Sequence, residues 1–355
     1  MRWRRVFQAK EAGLVGVILA MAVLLTAFGG QVRKRDPDTG RRYHVNKFLH
    51  LDNLDKVVKN TSFFAIMAVG ATMIIMSGGI DLSVGSIYCL SAVTAAMFLH
   101  HFGPAGPGGG ASPHWVVPAG MLVCVAVGAV CGLINGIGVV LLGVHPFVIT
   151  LGTMAIYRGI AFVMTRGQSY TDFPAEFTDG LIRLEAGSLN PVPMAIMLLV
   201  VVGGAIFLRH TVTGRYVYAV GGNELAARFS GVRVGWIKII VFTIGGLTGG
   251  VAAMIMLGYY GSASSGEGQG YELDVIAAAV VGGASLTGGR GSAVGALLGA
   301  LVIKLIENGI IILEIEQNYS RIIIGAVIVL AVVLDQVSNS LRTRRLVRAG
   351  TAKST

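Results

Sequence analysis

Charge is what this 355-residue sequence has least of: only 13% of its residues are Asp, Glu, Lys or Arg, where a soluble domain carries about a quarter. A chain so poor in charge cannot cover a water-facing surface. With 54% hydrophobic residues and a mean hydropathy of +0.73, it has to be solvated by lipid. Cysteine is scarce too. Cys89, Cys124 and Cys131 all lie in apolar runs, are odd in number and lack metal-ligand spacing, so they read as small packing residues rather than a disulfide or a zinc site. No Lys follows a Gly anywhere, which excludes a Walker A loop in this chain. HExxH pairs and G-x-S-x-G elbows are missing as well, so no catalytic residue and no metal ligand is assigned. The net charge of +10 comes without basic–aromatic interleaving, which speaks against nucleic acid as a partner. The N-terminal MRWRRVFQAKEA is basic and leads into an apolar run without a small-residue cleavage site, as an uncleaved anchor does.

What is present is a series of ten apolar runs: 13–28, 61–77, 87–99, 115–142, 146–164, 192–208, 237–257, 273–286, 292–312 and 322–334. They predict an all-α polytopic membrane protein of about ten transmembrane helices. Between them lie a polar stretch, 31–60, with eight cations against four acids, a Gly/Pro-rich loop, 100–112, and an acidic loop, 166–190. A Gly/Ser-rich loop, 258–270, and a basic tail complete the set. The distribution of Lys and Arg places both termini and the segment around 210–235 on the cytoplasmic side, with 166–190 outside. The basic stretch 31–60 falls outside on this count and opposes the rule.

Gly214 to Gly231, GRYVYAVGGNELAARFSG, is a capped polar segment set between two of these runs. Asn223 suits an N-cap, Glu224 the positive helix start, and Gly231 a left-handed stop. The segment predicts one to two turns of rigid helix, fit for docking against a soluble partner. Small-xxx-small faces recur at Gly128/Gly132/Gly136, Gly245/Gly249, Gly246/Gly250 and Gly291/Gly295/Gly299, a signal for close helix packing in lipid. A weak echo between Leu133–Ile137 and Ile306–Ile310 points to an inverted repeat of spans two to five and seven to ten. A second echo, GGIDLSVGS against GGASLTGGR, does not fit that register and reads as shared turn chemistry.

The sequence GGIDLSVGS breaks an apolar stretch, with Asp81 and Ser83 among glycines. Two readings stand: a hinge or polar lining of a solute path, or a turn whose Asp81 caps the third helix. Within the other runs the polar residues counted are Asn135, Lys304, Glu307 and Asn308. Lys304 and Glu307 sit i,i+3 and pair on one face. Alternatively Asn135, Glu307 and Asn308 line the path, a sparse amide lining that suits a neutral polyhydroxylated solute. The carboxylate chains expected of proton or sodium coupling are absent, which opposes the alternative of an ion-coupled secondary transporter of a small neutral polar solute.

GGIDLSVGS, NGIGVVLLGVHPFVITLGTMAIYRGIAFVMTRG, TGRYVYAVGGNELAARFSGV and YELDVIAAAVVGGASLTGGRGS occur in this order. Together they strongly resemble the membrane permease subunit of ribose/xylose/galactose-type ABC sugar importers, over roughly Leu51 to Leu334. The resemblance implies a transmembrane permease domain over 1–340 and a cytoplasmic tail over 341–355, in a bacterial inner membrane. It implies three partners besides the bilayer: a second permease chain (the same or a paralogue), a cytosolic P-loop ATPase and a periplasmic sugar-binding protein. ATP and magnesium would sit on that ATPase, with no cofactor in this chain. The coupling element would comprise Gly214, Arg215, Gly221, Gly222, Asn223, Glu224, Ala226, Ala227, Arg228, Ser230 and Gly231. The translocation path would draw on Asp81, Ser83, Asn135, Glu307 and Asn308.

Overall fold

The computed structural model describes residues 2–35, 42–104, 106–109, 111–184, 190–327, 329–330 and 333. The tail 341–355 lies outside the described residues. Among the described residues each apolar run is helical over most of its length, and most of the helices extend beyond their apolar cores. α1 spans Arg2–Phe28, α2 Leu51–Met76, α3 Val84–His101, α4 Pro113–Leu142 and α5 Pro146–Thr165. A short turn, α6 (Ala175–Phe177), leads to α7 (Pro191–His210), α8 (Val212–Gly222) and α9 (Glu224–Phe229). α10 (Val234–Tyr260), α11 (Tyr271–Val281), α12 (Ala293–Ile312) and a final helical stretch, 319–327, complete the bundle.

Among the described residues eight helices are long and apolar enough to cross a membrane. α11 is not one of them. Its 11 residues give about 16 Å of helix, roughly half a hydrocarbon core. The run 273–286 is shortened because Gly282 and Gly283 end the helix, Gly283 at φ +96°. The polar stretch 31–60 resolves into two parts. β1 (Gln31–Arg35) pairs antiparallel with β2 (Arg42–Asn46), in register Gln31 to Asn46. The remainder opens α2, capped by His50, whose Nδ1 accepts from Asp52 N. Asp55 and Lys59, an i,i+4 pair, form a buried ion pair on that first part of α2, so their charges do not end the helix.

α2 is the axis of the bundle: from Thr61 to Met76 it is buried all round, as a helix apolar on every face must be. α4, α5 and α7 bury one face and leave large apolar side chains such as Leu141, Val163 and Leu199 exposed, the surface that lipid or a second chain covers. Packing obeys an exchange. α4 lies on α10 and α12 on α2; α3 lies on α4 and α11 on α12; α3 touches α10 and α11 touches α2. Swapping α2–α4 with α10–α12 maps this contact set onto itself. The segment 77–83 before α3 and the segment 261–270 before α11 enter from opposite ends, as an inverted repeat requires. The second of these segments packs against the first turn of α3, where a methyl placed on Gly268 would lie 2.6 Å from the Gly85 carbonyl oxygen.

Glycines set the closest helix approach. A Cβ at Gly128 would fall 2.8 Å from Gly250 N, and one at Gly246 would fall 2.7 Å from Gly132 N. Gly295 and Gly299 do the same toward α11, whereas Gly291 precedes α12 and belongs to the turn. Backbones this close exclude any side chain between α4 and α10. Gly128→Leu is therefore expected to lower the melting temperature in detergent sharply, by the 1–3 kcal/mol or more typical of overpacking (about that order). Gly152→Ala, whose Cβ meets nothing within 4 Å, should leave it unchanged or slightly raised. Equal melting of both variants with the parent would refute the packing account.

Candidate functional site

The capped segment forms not one helix but two. Thr211 Oγ1 accepts from Gly214 N at 2.9 Å and starts α8. Gly214 is buried at the α7–α8 joint, where a Cβ would lie 2.7 Å from Leu208 Cα. Asn223 Oδ1 accepts from Ala226 N at 2.9 Å and starts α9, and Gly231 ends it at φ +83°. Both caps lie where the local sequence put them. Glu224 does more than face the helix start: Lys238 of α10 donates to its Oε2 at 2.8 Å, and Arg228 sits 3.6 Å from its Oε1. Ala227 is buried beneath the knob, while Arg215, Gly222, Asn223, Ala226, Arg228, Ser230 and Gly231 face outward.

Leu225 and Phe229 complete that outer surface, at 66% and 89% exposure. They stand i,i+4 on α9, so they share a face. In the sequence they count only toward the short helix body and not toward the coupling element, because apolar residues in an apolar chain attract no notice. Their signal was position: two large apolar side chains one turn apart on a short polar helix.

α8 ties the knob to the core. Gly221 lies against the carbonyl of Met76, the last residue of α2, and against Gly289 of the α11–α12 turn. Gly289 N donates to Met76 O at 2.8 Å, and the Tyr218 hydroxyl donates to Gly291 O at 3.0 Å. Both turns of the second sequence echo thus meet at this one end of the bundle.

From Met76 the chain enters the first break. Asp81 Oδ1 accepts from Ser83 N at 2.7 Å and from Ser83 Oγ at 2.5 Å. Ser83 is the residue before α3, and Asp81 supports it without capping any helical N–H. Asn135 Nδ2 donates to Ser83 Oγ at 2.7 Å, and the Tyr157 hydroxyl lies 3.1 Å from Asn135 Oδ1. Thr150 of α5 satisfies the opened backbone, accepting from Leu82 N and donating to Ile80 O. Asp81, Ser83, Asn135 and Thr150 are all buried. The amides of Gly78, Gly79, Leu82 and Ser83 and the Ile80 carbonyl all have partners inside the protein, as a hydrocarbon setting demands of a broken helix.

The second break is held by a residue the sequence reading did not count. Arg158 of α5 donates from Nη1 to Ser265 O at 3.1 Å and to Glu267 O. A lone Arg in an apolar run was the available signal. Burial pushes the Glu267 carboxyl, in the connecting loop outside the spanning helices, up to about 7, opposed by a bond from Ser264 N.

At the end opposite α9, Lys304 donates to Glu307 at 2.7 Å and stands 3.2 Å from the Phe64 ring centroid. Asn308 and Asn53 bond each other and join α12 to α2. Glu307 also lines a cavity of about 650 Å³ with Gln269, Tyr271, Asp274, Gln317 and Arg321. The loop on its rim is tied to the hairpin by Lys47 and Glu314, 2.6 Å apart, and this bond holds the Glu314 carboxyl below its ordinary range. Of the five path residues expected from sequence, Asp81, Ser83 and Asn135 thus form one closed network, Asn308 pairs with Asn53, and Glu307 alone faces open space.

The chain as a whole is similar to known transport permeases. Residues 53–332 match the family described as branched-chain amino acid transport system / permease component. The chain is 39% identical over 290 residues to the ribose import permease protein RbsC of Escherichia coli (strain K12), covering 81% of this chain and 87% of that protein. It is 35% identical over 292 residues to the D-allose transport system permease protein AlsC of the same strain, covering 81% and 85%. Against the autoinducer 2 import system permease protein LsrC of Enterobacter sp. (strain 638) it is 33% identical over 288 residues, covering 81% and 80%. No solved structure matches the chain.

Proposed function

The chain belongs to the branched-chain amino acid transport system / permease component family, and on that premise we propose that it is the permease subunit of an ATP-driven monosaccharide importer. The observation that carries the mechanism is the seating of α8. It joins an exposed knob, α9, to the end of the core helix α2 and so to the first break. A cytosolic ATPase docked on Leu225 and Phe229 would move α9 and α8 as one unit, because Asn223, Glu224 and Lys238 fix α9 to the bundle. ATP binding must then favour one bundle conformation by several kcal/mol to switch access across the membrane (order of magnitude). A periplasmic binding protein delivers the sugar to the opposite end, and a second permease chain covers the exposed apolar faces. Both termini and α9 lie in the cytoplasm, with ATP and magnesium on the partner.

The family's description offers a second reading, a branched-chain amino acid as cargo. Polar, mixed-charge lining around Glu307 suits hydroxyl groups better than an aliphatic side chain. ATP-driven uptake of ribose or allose against leucine, in vesicles holding the chain with its co-purifying partners, separates the two. Leucine uptake without sugar uptake overturns the sugar reading, and uptake without ATP overturns the whole scheme.

The docking face has its own test. Phe229→Asp should cut uptake by about tenfold or more, the scale of losing one interface anchor. The amount of folded chain should stay unchanged, since the side chain is almost fully exposed. Gly222→Trp acts alike, because its Cβ meets nothing within 4 Å. Wild-type uptake by both variants would remove α9 from the coupling role. Glu224→Lys is less informative, as it also breaks the Lys238 anchor.

A further inference from the structure

The cavity beside Glu307 is built to hold something. Asp274 sits one turn into α11, directly after the second break; Glu307 sits near the far end of α12; Gln317 and Arg321 come from the segment that follows. Gln269 belongs to the break itself and Tyr271 opens α11. Four elements of chain therefore converge on one space of about 650 Å³, within the range of about 300–1,000 Å³ that small-molecule sites occupy.

Its polar groups are uncommitted. Among the described residues, no hydrogen bond or ion pair engages the side chain of Gln269, Gln317 or Arg321. Asp274 accepts no hydrogen bond among them either. Gln269, Gln317 and Arg321 stand exposed where the cavity opens, and Asp274 is attracted only at longer range by Lys304 and Arg321, so all four can turn to a guest. The charges around the space balance: the carboxylates of Asp274 and Glu307 stand against the cations of Lys304 and Arg321. A cation would meet a guanidinium and an anion would meet two carboxylates, so the balance favours a neutral guest. Donors (Arg321 and two amides) and acceptors (two carboxylates and two amides) are both on offer, beside the ring of Tyr271. A hydroxyl both donates and accepts, and a sugar ring carries several hydroxyls and an apolar C–H face.

We propose that this cavity, at the end opposite α9, is a binding site for a neutral polyhydroxylated solute, the first station of the sugar within the permease. The proposal rests on the sugar-importer reading and adds the place and the residues. The inverted repeat gives it further meaning. The first break is sealed by its own network, with Asp81, Ser83, Asn135 and Thr150 all buried. The second break lies open to the cavity through Gln269, so the two halves stand in different states of access at opposite ends.

Protection from labelling tests the site. The three native cysteines are buried, so a cysteine introduced at Asn318, which lines the cavity, is the reactive thiol of the full-length chain in membrane vesicles. D-Ribose or D-allose at high millimolar concentration should slow maleimide labelling of Asn318→Cys at least about threefold, the effect of occupying most of a single site. Leucine should not. Glu316→Cys, exposed on the rim outside the lining, should react at one rate with or without sugar. Attaching a bulky maleimide at position 318 should cut uptake roughly tenfold against the same variant unlabelled. Equal labelling with every sugar, or equal protection at 316 and 318, overturns the proposal. So does a thiol at 318 that is unreactive without sugar, because another chain then fills the space. Uptake by the unmodified complex keeps the two ideas apart: sugar uptake without protection fails the cavity alone, and no sugar uptake fails the importer reading.

Discussion

Gly221→Ala is expected to reduce ATP-driven uptake to roughly a tenth or less, a loss of 1.4 kcal/mol or more in coupling, while Gly222→Ala beside it leaves uptake near the parent level. Both glycines lie in α8, and alanine is the better helix former by about 1 kcal/mol. Propensity therefore predicts a gain at each position, and any loss has to come from packing. At Gly222 nothing lies within 4 Å of an added Cβ. At Gly221 the methyl would overlap the Met76 carbonyl oxygen and fall 2.5 Å from Gly289 N, two atoms that already bond each other at 2.8 Å. These are backbone atoms fixed by α2 and by the α11–α12 turn, so they cannot turn aside as a side chain could. α8 must lift instead, and it takes the knob with it. ATP hydrolysis in the Gly221→Ala complex should persist without sugar movement, which is what separates uncoupling from misfolding. If Gly221→Ala transports like the parent, the α8–α2 contact does not transmit the stroke.

Local chemistry was legible in the sequence and distant contacts were not. Asn223, Glu224 and Gly231 marked α9 because a cap acts within one turn of its own residue. Lys304 and Glu307 showed their pairing for the same reason, three residues apart on one helix. Gly221 gave no sign of being different from Gly222, since the backbones it meets come from α2 and from the turn before α12. α8 is hidden in the sequence because its glycines, Gly214, Gly221 and Gly222, read as breakers, whereas Gly214 and Gly221 are the means of close approach. The start of α2 was hidden by Asp55 and Lys59, whose charges suggest a loop until their mutual pairing is seen. The cavity was invisible for a further reason: its lining residues come from separate elements, and amides such as Gln269 and Gln317 look like ordinary loop residues.

The buried Lys304 supplies the second large effect, and its sign depends on which partner is removed. Lys304 is 5% exposed on α12 with its ammonium against Glu307 and the Phe64 ring. The Glu307 side chain is 29% exposed and opens onto the cavity. Deleting Glu307's charge by Glu307→Gln strands a lysine in the interior, the situation that costs about 3–5 kcal/mol when a buried pair is broken. Deleting the lysine by Lys304→Met leaves a carboxylate that the cavity's water can still solvate, so the cost is smaller, and the new side chain is apolar and fits beside an aromatic ring. The double variant replaces the pair by a thioether and an amide and strands no charge, which is often neutral for stability. Melting in detergent should therefore rank the double variant and Lys304→Met above Glu307→Gln, with the double variant far milder than the sum of the single changes. Additive losses, or Lys304→Met as the worst of the three, would show that Glu307 is the group without access to water. The cavity would then be closed at its base. With the expected order, Glu307 is held in place by a cation it does not need for its own solvation. Both of its oxygens accept from Lys304, at 2.7 and 2.8 Å, and each keeps a further lone pair to meet a hydroxyl arriving from the cavity.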